Sequence, residues 1–431
     1  MKRLVATLVL LAPLSALAVP SGTPAGTASI EGRWLGALAV GASKLRLGFT
    51  FSHGADGALA ATMNSLDQGT GELKADRASF VAPTLQVDLA KLGVHYVGAL
   101  AGGSITGAFT QGGHDFPLAL QRVAAFDKPK RPQEPKRPFP YREEEVTLTV
   151  PASYGPQRVS AYVELKGTLS LPPGKGPFPA VLFITGSGPE DRDEQVFDHK
   201  PFLVISDALV RAGVATLRFD DRGAGASGGS SKDMTVSDNA RDALAEVEYL
   251  AKRPEVDKKR VGLVGHSEGG LIAPMVASQS KVPRFLVLLA GTGVPGRQIL
   301  DTQITAMLHA SGAGAADIER AHKEMEASPA ISTPWMREFL TLDPKPYLKK
   351  VKVPVLALNG EKDLQVDVSN LAAIEGALLA GGNKQAKVVR LPGLNHLFQH
   401  CKTGSPSEYA STEETFSPEA IGLIRDFISS K

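Results

Sequence analysis

The pattern of apolar and polar positions changes character once along the chain, near residue 140. Before it, short runs alternate apolar and polar residues between glycine-containing turns, as in KLRLGFTFS, TLQVDLA and GGSITGAFTQ. Alternation of this kind places one face of each strand in a core and is typical of antiparallel sheets. It predicts an all-β N-terminal domain over residues 26–125. An accessory or dimerising role and a cavity for an apolar ligand both stay open for this domain.

After residue 142, near-continuous apolar runs alternate with helical stretches. The runs are PAVLFI, VATLRF, RVGLVG, FLVLLAG, VPVLALNG and AKVVRLPG, preceded by a strand pair in EEVTLTV and VELKGTLSLP. Apolar strands that alternate with helices indicate a parallel sheet covered on both faces. We therefore predict an α/β domain over residues 142–431, with an eight-stranded, mostly parallel sheet. A small helical cap is expected as an insertion at about residues 294–350.

Residues 126–141 separate the two patterns. The stretch DKPKRPQEPKRPFP has no periodicity and is rich in proline and basic residues. Proline removes amide donors and favours extended backbone. We expect a semi-rigid linker whose basic side chains are solvated.

The first 18 residues have the pattern of a signal peptide. Lys2 and Arg3 precede an apolar core, and Ala16-Leu17-Ala18 is a small-x-small cleavage site. Pro13 interrupts the core, which is shorter than the ~20 residues of a membrane span. The sequence predicts an exported protein of the periplasm or the medium, without a membrane span.

The composition and net charge limit the kinds of molecule that this protein is expected to bind. Of the 431 residues, 43% are hydrophobic and 21% are charged, as in soluble globular proteins. The net charge of +2 gives no field that would favour nucleic acid. Cys401 is the single cysteine, so an intramolecular disulfide is excluded. Because no His/Asp/Glu cluster has metal-ligand spacing, we predict no metal. The oligomeric state is not predicted.

The nucleophile pattern G-x-S-x-G occurs twice, at residues 265–269 and 225–229. Ser267 follows the apolar run RVGLVG directly and opens a helical stretch, which is the context of a nucleophile elbow. Ser227 lies instead in the polar glycine loop DDRGAGASGGSS. The same loop matches G-x-G-x-x-G, but a dinucleotide fingerprint starts directly after its strand and opens a helix. The sequence therefore predicts Ser267 as the catalytic serine.

A serine nucleophile needs a base, and the base needs an orienting carboxylate. In chain order after the serine, the loop that follows VPVLALNG carries Asp363, and the loop that follows AKVVRLPG carries His396. Both loops stand at the carboxyl ends of predicted parallel strands, where such residues meet. We predict Asp363 as the acid and His396 as the base. The alternatives are Glu361 and Asp367 for the acid and His400 for the base.

The tetrahedral intermediate also needs two donors for its oxyanion. The backbone amide of Glu268, at the start of the helix, is the first. We expect the second from the loop TGSGP, with the Ser187 amide as first choice and the Gly186 amide as second.

With these motifs, the chain from about residue 143 resembles the α/β-hydrolases. It is most similar to bacterial carboxylesterases with a GSGP loop, near the dienelactone-hydrolase and serine-aminopeptidase branches. The stretches that carry the resemblance are ITGSGPEDRDE, RFDDRGAGASGG, VGLVGHSEGG, LNGEKDLQVD and LPGLNHLFQ. The resemblance implies a Ser-Asp-His triad, no cofactor and a small-molecule ester substrate. It also implies that Asp220 and Arg222 brace loops; Thr185 departs from the histidine that many relatives carry there.

Two alternatives to a carboxylesterase remain. A serine peptidase or an acyltransferase would use the same triad, because the triad's chemistry does not distinguish these outcomes. The other alternative is a catalytically inactive binding protein with a hydrolase fold.

Overall fold

The computed structural model describes residues 29–40, 43–54, 56–67, 72–127, 129–154 and 161–431. The predicted signal peptide at 1–18 lies outside these residues. The chain divides into two compact units, Met1–Lys130 and Arg131–Lys431. Among the helices of the described ranges, none is both long enough and apolar enough for a transmembrane segment.

The first unit is one antiparallel sheet, which confirms the predicted all-β domain. In the described ranges it has nine strands, ordered β4-β3-β2-β1-β9-β8-β7-β6-β5. Their bounds are β1 Gly32–Val40, β2 Ser43–His53, β3 Leu59–Ser65, β4 Leu73–Lys74, β5 Arg77–Val81, β6 Thr84–Leu89, β7 Val94–Ala101, β8 Ser104–Gln111 and β9 His114–Val123. Alternate residues form the core, in which Trp34, Phe49 and Tyr96 are fully buried.

The second unit contains the predicted mostly parallel sheet. Its eight described strands are ordered β10-β11-β13-β12-β14-β15-β16-β17. They are β10 Arg142–Pro151, β11 Tyr162–Leu171, β12 Phe178–Ile184, β13 Ala215–Phe219, β14 Val256–His266, β15 Phe285–Leu289, β16 Val355–Gly360 and β17 Ala386–Leu391. β11 pairs antiparallel with β10 and β13, and the remaining neighbours pair in parallel. The carboxyl ends of the parallel strands therefore lie along one edge, which is where the candidate site is built.

Helices cover both faces of this sheet. They are α1 Pro201–Arg211, α2 Val236–Lys252, α3 Glu268–Ala277, α4 Gly296–Ala310, α5 Ala315–Ala327, α6 Pro334–Thr341, α7 Lys345–Leu348, α8 Asn370–Ala380 and α9 Pro418–Ser429. Side chains of β12 alternate between the faces: Leu182 belongs to the core with α2, α3 and α8, whereas Val181 belongs to the core with α1 and α9. Helices α4 to α7 form the insertion between β15 and β16, at the place where the sequence predicts a cap.

The segment after residue 130 differs from the predicted linker. The Arg131 guanidinium donates to the carbonyls of Phe197, Asp198, Ala410 and Thr412. Gln133 Nε2 donates to the Phe416 carbonyl at 2.6 Å. The expectation of solvated basic side chains is therefore wrong at Arg131, because four loop carbonyls accept hydrogen bonds from its guanidinium.

Candidate active site

The predicted nucleophile stands on a strained corner between strand and helix. Ser267 follows β14 and precedes α3, with φ 52° and ψ −112°. A non-glycine residue with positive φ is uncommon and is held only by surrounding contacts. One such contact is the Ser267 N–H, which donates to the Leu289 carbonyl at 2.8 Å. The corner presents the serine side chain, partly exposed, at the sheet edge.

The flanking glycines are required by close backbone approach. A Cβ on Gly265 would lie 2.1 Å from the Gly269 carbonyl oxygen, and a Cβ on Gly269 would lie 2.1 Å from the Ile184 carbonyl oxygen. Both distances are far below contact distance, so any side chain would separate β14, α3 and the end of β12. The pattern G-x-S-x-G therefore has a steric cause at this position.

The predicted acid and base lie together in a buried pair. His396 Nδ1 is 2.7 Å from Asp363 Oδ2, and both side chains are at most 5% exposed. Asp363 Oδ1 also accepts the amides of Gln365 at 2.8 Å and Val366 at 2.9 Å. These bonds fix the carboxylate, which in turn holds the proton on Nδ1 and leaves Nε2 to accept one.

The alternative residues have other surroundings. Glu361 is exposed, and the Asp367 carboxylate accepts the Ser369 amide at 2.9 Å. His400 is 60% exposed and is bonded to Glu414 at 2.8 Å. Of the sequence candidates for acid and base, the structure thus joins Asp363 and His396.

Three loops converge at the elbow. A Cβ built on Gly186 would lie 3.6 Å from Ser267 Cβ, so the loop after β12 passes beside the serine. The rings of His266 and His396 have centroids 4.8 Å apart. Among the described residues, Ser267 Oγ makes no hydrogen bond to His396; such catalytic bonds often tighten only when substrate binds.

The two amides predicted in the oxyanion loop have different environments. Gly186 N–H donates to Glu194 Oε1 at 3.0 Å, so it is occupied and not available to an oxyanion. Ser187, the first choice, is exposed in the next position. Glu268 is the first residue of α3, where the amide has no acceptor within the helix. Ser187 and Glu268 therefore remain as the candidate donors.

The oxyanion loop rests on two partly buried carboxyl groups, Asp221 and Glu190. Thr185 Oγ1 donates to Asp221 Oδ2 at 2.9 Å, and the Glu190 amide donates to the same oxygen at 2.9 Å. Burial raises the pKa of Asp221 to about 8. Burial, with Glu194 and Asp221 nearby, raises the pKa of Glu190 well above its usual range. These groups favour their protonated forms, since desolvation penalises charge.

The second glycine motif is structural. Ser227 Oγ donates to the Asp220 carbonyl at 2.7 Å and accepts the Lys166 amide at 2.8 Å. Asp220 binds the Arg192 guanidinium at 2.8 Å, and Arg222 pairs with Asp242 at 2.7 Å. Asp220 and Arg222 therefore brace loops in the structure, as the resemblance implies.

Helix α6 of the cap reaches the elbow. Trp335 Nε1 donates to Glu268 Oε1 at 3.0 Å and Oε2 at 2.9 Å, and Asn239 Nδ2 donates to Oε1 at 3.2 Å. Glu338 accepts the Ser237 amide at 2.9 Å. Burial raises the pKa of Glu268 to about 7. The cap is thus attached beside the residue that follows the nucleophile.

Sequence reasoning missed two residues of this site. His266, which precedes Ser267 in the elbow, is not among the predicted site residues, yet it contacts Glu194 at 2.9 Å and the His396 carbonyl at 3.0 Å. The acid-rich stretch EDRDE after β12 is the one sequence feature from which a role for Glu194 could have been predicted. Within the described ranges, no group of three or more His, Cys, Asp or Glu side chains is arranged to hold a metal ion.

Known proteins with similar sequences include an esterase and peptidases by name. The model of the prolyl oligopeptidase family matches residues 206–417, which include Ser267, Asp363 and His396. Esterase EstD of Thermotoga maritima is 28% identical over 242 residues, which cover 54% of this chain and 58% of EstD. Dipeptidyl-peptidase 5 of Porphyromonas gingivalis is 25% identical over 51% of this chain and 30% of its own length. The chain thus spans less than two thirds of these curated relatives.

Two solved structures are among those that match this chain. An esterase of Pyrococcus furiosus superposes with a TM-score of 0.46 and 17% identity, over 71% of this chain and 99% of that one. Est1E of Butyrivibrio proteoclasticus, solved with ferulic acid, gives a TM-score of 0.43 and 20% identity over 62% of this chain and 95% of that one. The family match over residues 206–417, the order of the mostly parallel sheet and the strand-to-helix elbow together show an α/β-hydrolase fold.

Proposed function

We propose that this protein is a serine hydrolase that cleaves small carboxylic esters through an acyl-enzyme. The observation that carries the proposal is the buried Asp363–His396 pair, 2.7 Å apart, at the same sheet edge as the strained Ser267 elbow. A buried carboxylate bonded to Nδ1 of a histidine is the arrangement that makes the imidazole a general base.

The proposed reaction has two acyl-transfer steps. Ser267 Oγ attacks the ester carbonyl carbon while His396 takes the hydroxyl proton, and the ionised Asp363 stabilises the imidazolium. The amides of Glu268 and Ser187 bind the oxyanion. His396 then gives its proton to the departing alcohol, and water activated by His396 hydrolyses the acyl-enzyme and frees the serine.

The ester class is supported by the named relatives. EstD is an esterase by name and matches over half of this chain. A serine peptidase is the second candidate, because the matching family model is that of the prolyl oligopeptidases. Acyl transfer to an alcohol or amine other than water would use the same intermediate.

An active-site label tests the nucleophile. A fluorophosphonate probe is expected to label the wild-type protein and not Ser267→Ala. Ser227→Ala is the matched control, because it removes the serine of the second G-x-S-x-G match and should leave labelling intact. An unlabelled wild type, as an inactive binding protein would give, overturns the enzyme proposal, and labelled Ser267→Ala overturns the assigned serine.

Substrate preference separates the candidate activities. Nitrophenyl esters of rising chain length and aminoacyl anilides are compared by kcat/KM at one pH. Higher kcat/KM on esters supports the carboxylesterase, whereas rapid anilide turnover with negligible ester turnover overturns it in favour of a peptidase. Product analysis with an added alcohol distinguishes transfer from hydrolysis.

We also propose export to the periplasm or the medium, since residues 1–18 have the composition of a signal peptide. Expression with and without this segment, followed by cell fractionation, tests it. The full chain is expected outside the cytoplasm, shortened at its N-terminus, and an uncleaved cytoplasmic protein would contradict the proposal.

A further inference from the structure

A buried histidine and a buried glutamate connect the three loops of the site. His266 is 6% exposed and Glu194 is 3% exposed. Glu194 Oε1 lies 2.9 Å from His266 Nδ1 and 3.0 Å from the Gly186 amide nitrogen. His266 Nε2 lies 3.0 Å from the backbone carbonyl oxygen of His396. One side chain pair thus contacts the oxyanion loop, the elbow and the loop of the base.

The partners of the His266 ring determine its protonation. A backbone carbonyl can only accept, so Nε2 must carry a proton. Nδ1 faces Glu194 Oε1, which also accepts the Gly186 N–H. An ionised Glu194 carboxylate offers only lone pairs to the ring. With Glu194 ionised, an acceptor faces each ring nitrogen, so both nitrogens carry protons and the ring is a cation.

We propose that Glu194 and His266 form a buried carboxylate–imidazolium pair that positions the oxyanion loop against the loop carrying His396. The pair acts through Gly186 and the His396 backbone and does not touch the reacting atoms, so both are positioning residues. The inference rests on the proposed hydrolase function for its kinetic consequence, but the charge state of His266 does not depend on it.

The charges around the ring agree with a cation. Burial alone would lower the pKa of His266, but the Glu194 carboxylate and the His396 carbonyl hold that pKa above its usual value. The other titratable groups near the pair are three acids and one base. They are Glu190, Asp221, Asp363 and His396.

A second buried histidine provides the contrast. His199 Nε2 lies 2.9 Å from the Tyr409 carbonyl, and Nδ1 lies 3.0 Å from Thr415 Oγ1. A hydroxyl can donate to an unprotonated nitrogen, so this ring is satisfied when neutral. Burial lowers the pKa of His199 to about 4. The two histidines are similarly buried, and the carboxylate is the difference between them.

Nitrogen NMR of histidine-labelled wild-type protein tests the charge directly. We expect His266 to keep protons on both ring nitrogens at pH 7, while His199 keeps one. The signals are assigned by their loss in His266→Gln and His199→Gln, or by through-bond correlation if a variant does not fold. A neutral His266 ring at pH 7 overturns the ion pair, whether or not the protein hydrolyses esters.

Kinetics on an ester that wild type turns over test the positioning role. His266→Gln is expected to lower kcat about 30- to 100-fold with less than a threefold change in KM, because small misplacements of reacting groups carry such losses. The acidic limb of the kcat profile should move to higher pH, since the unpaired Glu194 carboxylate favours protonated His396. A merely structural histidine would lower thermal stability without moving this limb.

The double variant Glu194→Gln/His266→Gln supplies a rescue. Two neutral amides can hydrogen-bond each other without a buried charge, so we expect the double variant to recover at least threefold in kcat over His266→Gln. His199→Gln is the control for loss of a buried histidine. The positioning role is wrong if His266→Gln keeps kcat within twofold of wild type. It is also wrong if the fold-loss of kcat in the double variant equals the product of the fold-losses in Glu194→Gln and His266→Gln.

Discussion

Trp335 donates its indole N–H to both carboxylate oxygens of Glu268, at 3.0 and 2.9 Å, and so ties the cap to the residue after the nucleophile. The indole also stacks on Phe339 of the same helix, with centroids 5.0 Å apart and planes 8° apart. The Trp335 indole therefore holds helix α6 at the elbow, and stacking on Phe339 keeps the indole in place.

Trp335→Phe keeps the stacked ring and removes the donor. A hydrogen bond to a buried, partly ionised carboxyl contributes about 1.5–3 kcal/mol, so the closed cap is weakened and KM should rise about tenfold. We expect kcat to change less than threefold, because no reacting group moves. Steady-state kinetics on a nitrophenyl ester measures both constants. Trp34→Phe, which removes an indole that donates to the Ile30 carbonyl at 2.8 Å, is the control; an unchanged KM in Trp335→Phe would contradict the cap contact.

Asp363→Asn tests the acid of the pair. The amide is nearly isosteric but cannot hold the His396 proton on Nδ1 or stabilise the imidazolium, so kcat should fall by roughly four orders of magnitude. Asp367→Asn is the matched control from the same loop and should change kcat less than twofold. The assignment of the acid would be wrong if Asp367→Asn were the more damaging change. Circular dichroism on both variants checks that folding is retained.

Gly269→Ala tests the close approach at the elbow. The new methyl would lie 2.1 Å from the Ile184 carbonyl oxygen and 2.7 Å from that of Thr185, so β12 and the oxyanion loop must move. We expect a loss of about 1–3 kcal/mol in unfolding free energy and at least a 100-fold loss in kcat. Gly422→Ala in α9 meets nothing within 4 Å and should leave kcat unchanged and stability equal or higher. Denaturant melts and kinetics decide, and full activity in Gly269→Ala would refute the steric account.

Asp221 predicts a pH dependence of stability. Its pKa is raised from 3.8 to about 8 by burial, so its contribution is fully present below pH 3.8 and is lost as pH rises through 8. Asp221→Asn cannot ionise, so its unfolding free energy should gain on wild type as pH rises from 5 to 9. Urea melts at several pH values measure the difference. Asp426→Asn, at a side chain 70% exposed, should show no such trend; a constant offset in Asp221→Asn would show that this carboxyl is ionised throughout.

The strands and helices were predictable because their periodicity is local. The alternating pattern of the first unit and the apolar runs of the second follow from burial on one or two faces, which a sequence displays directly. Ser417 before Pro418 likewise predicts the start of α9, where its side chain accepts the Ala420 amide. The order of β12 and β13 in the sheet has no such local signal, since neighbours in the sheet are not neighbours in the chain.

The site residues were predictable only where a residue type with the required chemistry follows the end of a predicted strand. Ser267, Asp363 and His396 follow strand ends, and their roles stay predictions that the variants above test. The part of His266 depends on Glu194, 72 positions earlier in the chain, and on a carbonyl of the His396 loop. The Gly186 amide donates to the same Glu194 side chain, so this hydrogen bond was not predictable either. A pattern of five residues cannot display partners that folding brings from other loops.

The Arg131 contacts extend the second unit beyond its sheet. Arg131 joins the loops at Phe197 and Ala410, and these flank Tyr409, whose hydroxyl accepts from Gln365 Nε2 at 3.1 Å. Gln365 in turn donates its amide to Asp363. A fragment that begins at residue 142, where the first strand of the second sheet begins, would lack Arg131. The loop carbonyls that accept from Arg131 would then lose this donor. The contacts of the second unit therefore begin at Arg131, and a stable fragment of this unit needs residues 131–141.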